Sequence, residues 1–125
     1  MIKKIGILTS GGDCAGLNAV IRAATLRANN KYGWQIYGIK DGTSGFTTNP
    51  ISTIELTEKL FDGNLMRLGG TFLGTKNKEN PFKIREKNNS VRDISNQIID
   101  GYKKLGLDAL IGIGGDGSMK ILQKL

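Results

Sequence analysis

Histidine is absent from the sequence, and cysteine occurs once, at Cys14. Catalytic triads that need an imidazole are therefore excluded, and a zinc site, which draws on several Cys and His ligands, lacks its donors. One thiol rules out an internal disulfide and fits a reducing cytosol. Cys14 has no visible base partner and reads as a small packed residue rather than a nucleophile. Proline occurs twice and tryptophan once, and aromatic residues make up only 6% of the chain. Long hydrophobic runs are also lacking: none approaches the roughly 20 residues that a membrane helix needs. The basic start, MIKKIG, leads into no secretory apolar region or cleavage site.

Acidic residues are the scarcer charge. Eleven Asp and Glu stand against 18 Lys and Arg, a net charge of +7. Such an excess is either a solvated basic surface or a field for an anionic partner, a phosphate ligand or a nucleic acid. The basic residues are scattered and not interleaved with aromatics, which argues against a nucleic-acid surface. With 38% hydrophobic residues in 125 positions, the chain can bury the modest core of one soluble domain.

Glycine is abundant, 18 residues, and much of it sits beside short apolar runs, where it reads as turn rather than linker. The runs set the expected elements. Residues 3–9 predict a buried strand. Leu17, Val20, Ile21, Ala24 and Ala28 have the spacing of an amphipathic helix over 15–30. A second strand is expected over 33–39, with Gly33 closing the helix before it, and a turn over 41–46. Ser52 with Glu55 three positions later reads as a capping box opening a weak helix over 52–62. A short strand and loop are expected over 69–75, and a polar surface loop over 76–90. Val91, Ile94, Ile98, Tyr102 and Leu105 line one face of a helix that begins at Ser90 or Arg92 and ends at Gly106. Residues 108–114 lack polar alternation, as a parallel strand covered on both faces would, and a last helix is expected from near Ser118. Strands alternating with helices predict a three-layer α/β/α sandwich with a mostly parallel, Rossmann-like sheet. The last helical pattern runs without a cap to Leu125, from which a missing partner segment or a truncated reading frame is expected.

Two loops share one design. SGGDCAG, 10–16, and GGDGS, 114–118, each follow an apolar strand and precede a helix. At the carboxyl ends of parallel strands, such loops face the crevice where open α/β sheets bind ligands. The following helix aims free N–H groups and a positive dipole end at the loop, and glycines let an anion approach the backbone. Gly11 and Gly12 thus read as a phosphate cradle, or as a tight turn with Asp13 as the helix N-cap. Asp116 reads as a Mg2+ carboxylate, since Mg2+ favours one or two carboxylates with phosphate oxygens, or as a cap. Gly115 and Gly117 leave room for a polyphosphate, and Ser118 can cap the helix or donate to phosphate. Neither loop is a dinucleotide fingerprint or a Walker A sequence. Arg22, at the edge of the first helix's apolar face, suits a salt bridge or an anion. Lys76 and Lys78 are solvated loop lysines, or phosphate or base contacts if their loop folds over the crevice.

Three separated stretches, KKIGILTSGGDCAGLNAVIR, GGTFLGT and LDALIGIGGDGS, resemble in order and spacing the N-terminal part of the 6-phosphofructokinase family. The resemblance implies transfer of a phosphoryl group from ATP to the 1-hydroxyl of fructose 6-phosphate by cytosolic, Mg2+-dependent, usually homotetrameric enzymes. It implies that residues 1–125 are the ATP-binding part of such a domain, incomplete at the C-terminus. Gly12 would offer its backbone to the ATP phosphates. Gly115, Asp116, Gly117 and Ser118 would line the nucleotide pocket, with Asp116 serving the Mg2+. Gly117 favours ATP, because pyrophosphate-using relatives carry aspartate there. Asn77 and Lys78 take the places of an arginine and an aromatic that contact the nucleotide in bacterial members. Arg22 matches an arginine of the allosteric effector site. The family's catalytic base and its grip on fructose 6-phosphate belong to segments not in this sequence. No catalytic residue is therefore expected here, and the chain alone is expected to be inactive. The rival expectations are a pyrophosphate-dependent relative and a non-catalytic remnant.

Overall fold

The structure is a computed structural model that describes residues 2–11, 16–61, 70–75 and 80–125. Its centre is a four-stranded sheet in the order β3-β2-β1-β6. Strand β1 (Lys4–Thr9) pairs in parallel with β2 (Gln35–Ile39) on one side and with β6 (Ala109–Ile113) on the other. Strand β3 (Thr53–Leu56) closes one edge, antiparallel to β2.

Helix α1 (Leu17–Tyr32) covers one face. Its Ile21 and Ala28 pack with Ile5, Ile7, Ile36, Leu56 and Leu73. On the other face, Leu8 and Ile39 meet Phe46 of a 3₁₀ segment (Gly42–Thr47) and Ile98 of helix α2 (Ser95–Leu105). Helix α3 (Asp116–Lys124) lies on that side too, with Leu122 filling the space that Gly112 leaves open. The expected α/β/α layering is therefore present. Leu8 is fully buried, and Leu8→Ala is expected to lower stability by about 3 kcal/mol in a denaturant melt.

Glycine ends the helices as expected. Gly33 and Gly106 both adopt the left-handed conformation, and Gly33 N–H reaches the Asn29 carbonyl at 3.1 Å. Other expectations are corrected. The helix expected over 52–62 is β3 followed by a short 3₁₀ segment (Glu58–Leu60), because antiparallel pairing with β2 outweighs a weak helical pattern. No strand forms in 70–75, which is a turn. The loop expected over 76–90 contains β4 (Ile84–Arg85), paired with β5 (Val91–Arg92). Helix α2 consequently starts at Ser95, and Val91 lies exposed on β5 instead of on its apolar face.

Asp93 opens that helix by accepting from Ser95 N–H at 2.8 Å. The Ser95 hydroxyl and then its amide hold the Asp93 carboxyl below its ordinary range. Val20, expected on the buried face of α1, is 49% exposed, while Asn18 and Thr25 are buried. Strand β6 is not covered on both faces: Ile111 is 40% exposed, because α1 lies over β1 and β2.

Candidate functional site

The C-terminal ends of β1 and β6 meet directly. Ser10 N–H donates to the Ile113 carbonyl at 2.9 Å, which extends the β1–β6 ladder into the two glycine loops. A Cβ on Gly114 would lie 2.7 Å from the Ser10 carbonyl oxygen and 2.8 Å from the Ser118 hydroxyl. Only glycine permits that approach. Gly11, with φ of 90°, faces the same hydroxyl: a Cβ there would lie 3.4 Å from Ser118 Oγ and 3.8 Å from the Gly115 amide nitrogen. The described ends of two loops about a hundred positions apart in sequence thus lie side by side at the sheet's carboxyl edge.

Capping does not explain this arrangement. Helix α3 begins at Asp116, two residues earlier than expected, and its N-cap is Gly115, with no side-chain cap. The alternative roles of Asp116 and Ser118 as caps are therefore corrected. The first-turn amides of α3 have no intrahelical acceptor, which makes the helix end an anion site in waiting. Asp116 is exposed in that turn. Ser118 is only 8% exposed, and its hydroxyl bonds to no described residue. A hydroxyl in the first turn of a helix, beside two glycines, is suited to a phosphate oxygen. Beside it lies a narrow cleft of about 20 Å³, whose lining includes Ser10, Ser44, Ser118, Pro81, Ile84 and Ile121.

Segment 70–75 stands beside the loops and is tied to them. Thr9, fully buried at the end of β1, lies 2.9 Å from Thr71 Oγ1 and donates to the Gly74 carbonyl at 3.0 Å. Asn18, buried in the first turn of α1, accepts from Phe72 N–H at 2.9 Å. Asp41 N–H donates to the Leu73 carbonyl at 2.8 Å. Sequence reading missed Thr9, Asn18, Thr71 and Asp41. For Thr9 and Asn18 the one local signal was a polar residue inside a strand or helix pattern, and Thr71 and Asp41, which lie outside strands and helices, gave none.

The structure brings together Gly11, Gly115, Asp116, Gly117 and Ser118. Arg22 is separate from them, exposed on α1. Gly12, Asp13, Cys14, Lys76, Asn77 and Lys78 lie outside the described residues, although the N-cap position expected of Asp13 is occupied by Gly16. Among the described residues, no group of three His, Cys, Asp or Glu could hold a metal ion, and no helix is long and apolar enough to cross a membrane. Among the described residues of the two loops, Asp116 supplies the carboxylate.

The sequence profile described as "Phosphofructokinase" matches residues 4–125. The chain belongs to the phosphofructokinase family. Among relatives of this family, the "ATP-dependent 6-phosphofructokinase 1" of Synechocystis sp. is 56% identical over 124 residues, covering 99% of this chain and 34% of that protein. A protein of the same name from Nostoc sp. is 51% identical, covering 98% of this chain and 34% of its own length. A "Pyrophosphate--fructose 6-phosphate 1-phosphotransferase" of Dictyoglomus thermophilum is 40% identical, over 97% of this chain and 32% of that protein. The chain therefore spans about a third of the curated relatives it matches. Among solved phosphofructokinases, the T-state enzyme of Pichia pastoris superposes with a TM-score of 0.79 at 35% identity. That match covers 99% of this chain and 12% of the Pichia chain. The α/β fold is thus the family's own.

Proposed function

We propose that this chain is the nucleotide-holding, N-terminal part of an ATP-dependent 6-phosphofructokinase, which transfers the terminal phosphoryl group of ATP to fructose 6-phosphate. The products are fructose 1,6-bisphosphate and ADP, in glycolysis. The observation that carries this reading is the apposition of Gly11 and Gly114 to the Ser118 hydroxyl, in the first turn of a helix that has no side-chain cap.

In this reading the amides of Gly115, Asp116, Gly117 and Ser118 take phosphate oxygens, and the Ser118 hydroxyl donates one more hydrogen bond. Gly12 offers its backbone from the facing loop. Asn77 and Lys78 contact the nucleotide, the lysine as a point charge without the planar fork of arginine. The donor set fits Mg2+, because an exposed carboxylate in a helix's first turn can join phosphate oxygens and water around a hard cation. When bound, Mg2+ would neutralise charge on the transferring group. Holding the donor rigidly in line is this chain's contribution to catalysis. No residue here is assigned as the base. The same reading carries effector binding at Arg22, homotetrameric assembly and a cytoplasmic location.

Calorimetric titration with Mg-ATP, with Mg-pyrophosphate as control, tests the proposal. Saturable binding of ATP alone supports it, and a folded chain that binds neither would sink it. Gly117 supplies a second test. A Cβ on it meets nothing within 4 Å, so Gly117→Asp is expected to fold normally. Its carboxylate would crowd and repel the nucleotide's α-phosphate, weakening ATP binding by about tenfold or more at the charges' close range. Unchanged ATP binding by a folded Gly117→Asp would count against ATP selectivity at this position.

A further inference from the structure

Segment 71–74 is fixed by hydrogen bonds rather than by secondary structure, and the residues that fix it bracket the first glycine loop. Thr9 immediately precedes Ser10 and Gly11, and Asn18 follows Gly16 in the first turn of α1. The direction of the hydroxyl chain can be worked out, because each hydroxyl has one proton. Thr9 spends its proton on the Gly74 carbonyl, so Thr71 must donate to Thr9. Thr71 Oγ1 in turn accepts from Leu73 N–H at 3.2 Å. Asn18 Oδ1 fixes Phe72 N–H, and Asp41 N–H fixes the Leu73 carbonyl from the end of β2. The Leu73 side chain is 1% exposed in the core under α1. Three strand and helix ends therefore hold one turn at the sheet's carboxyl edge, the edge where α/β sheets place ligands.

Thr9 stands out among these groups. It is a fully buried polar residue in a strand whose other inward residues are aliphatic. An aliphatic residue of the same shape would suffice for packing alone, whereas the hydroxyl makes two bonds to a turn more than 60 positions away. Buried polar networks that are fully satisfied specify a unique geometry.

We propose that Thr9 and Asn18 are positioning residues of the donor site. They lock segment 71–74 to the strand end and helix start that flank the first glycine loop, so that the segment faces the nucleotide in one fixed relation to them. This inference rests on the donor-site reading above.

The test uses Thr9→Val, which keeps shape and removes the hydroxyl, and Thr9→Ser, which restores it. Amide hydrogen exchange at Leu73 and Gly74 and calorimetric binding of Mg-ATP are measured on both, beside the melting midpoint. For Thr9→Val, exchange is expected to accelerate and the Kd for Mg-ATP to rise, each by about tenfold, the scale of a buried group left unpaired. Thr9→Ser should bring both back to within about threefold of the original chain. Rescue by serine is the outcome that a packing role would not give. If Thr9→Val does not fold, Asn18→Ala, which leaves β1 intact, is expected to produce the same two changes with Phe72 as the exchanging amide. A folded Thr9→Val with unchanged exchange and unchanged Kd would overturn the inference. Failure of the original chain to bind Mg-ATP would overturn the donor-site reading, and with it a nucleotide role for this anchoring.

Discussion

Asp116→Ala is expected to weaken Mg2+-dependent ATP binding by about 100-fold, the scale of losing a charged ligand group. The fold should survive, because Asp116 is exposed, makes no capping bond and sits in the first turn of α3. Its favourable alignment with the helix dipole is worth only about 0.3–1 kcal/mol. The two effects separate cleanly in a pair of measurements. A calorimetric titration with and without Mg2+ reads the ligand, and a thermal melt reads the fold. Normal Mg-ATP binding by the variant would remove the metal role from this residue. Loss of binding together with a collapsed melt would make Asp116 a structural residue.

The second large effect is expected at Gly114. A Cβ there meets the Ser10 carbonyl at 2.7 Å and both Cβ and Oγ of Ser118 at 2.8 Å. Two of these groups are held firmly, since Ser10 continues the β1–β6 ladder and Ser118 lies within α3. Gly114→Val should therefore force the loops apart, at a cost of about 1–3 kcal/mol typical of overpacking. ATP binding should fall by more than about tenfold, because the spacing of the two loops is what a phosphate chain would measure. Gly115→Ala is the comparison: a Cβ there meets nothing within 4 Å, so the chain's melting midpoint should hardly move. Equal melts for the two variants would mean that the loop contact is soft.

Much of this arrangement was legible in the sequence, for a physical reason. Strands β1 and β6 are short apolar runs that end in glycines, and α1 and α2 end at Gly33 and Gly106. Such signals are local, so a sequence displays them. The strand at 53–56 was hidden because its stability comes from β2, and Ser52 with Glu55 imitates a helix start. Two-residue strands such as β4 and β5 are too short to show any period. The glycine loops could be read because their chemistry is that of the backbone. Their supports could not. Thr9 finds Thr71 and Gly74, and Asn18 finds Phe72, only after the chain has folded.

The pairing of β1 with β6 also sets the order in which the molecule can be assembled. Strand β1 meets β2 across a single helix, whereas the Lys4–Asp108 contact that begins the β1–β6 pairing closes a separation of 104 residues. Closing so long a loop carries the larger entropic penalty and slows folding. Gly11 meets Ser118 only after that closure. A ligand that bridges Gly11 and Ser118 therefore acts as a clasp on this long-range junction, and it stabilises the folded state by mass action there.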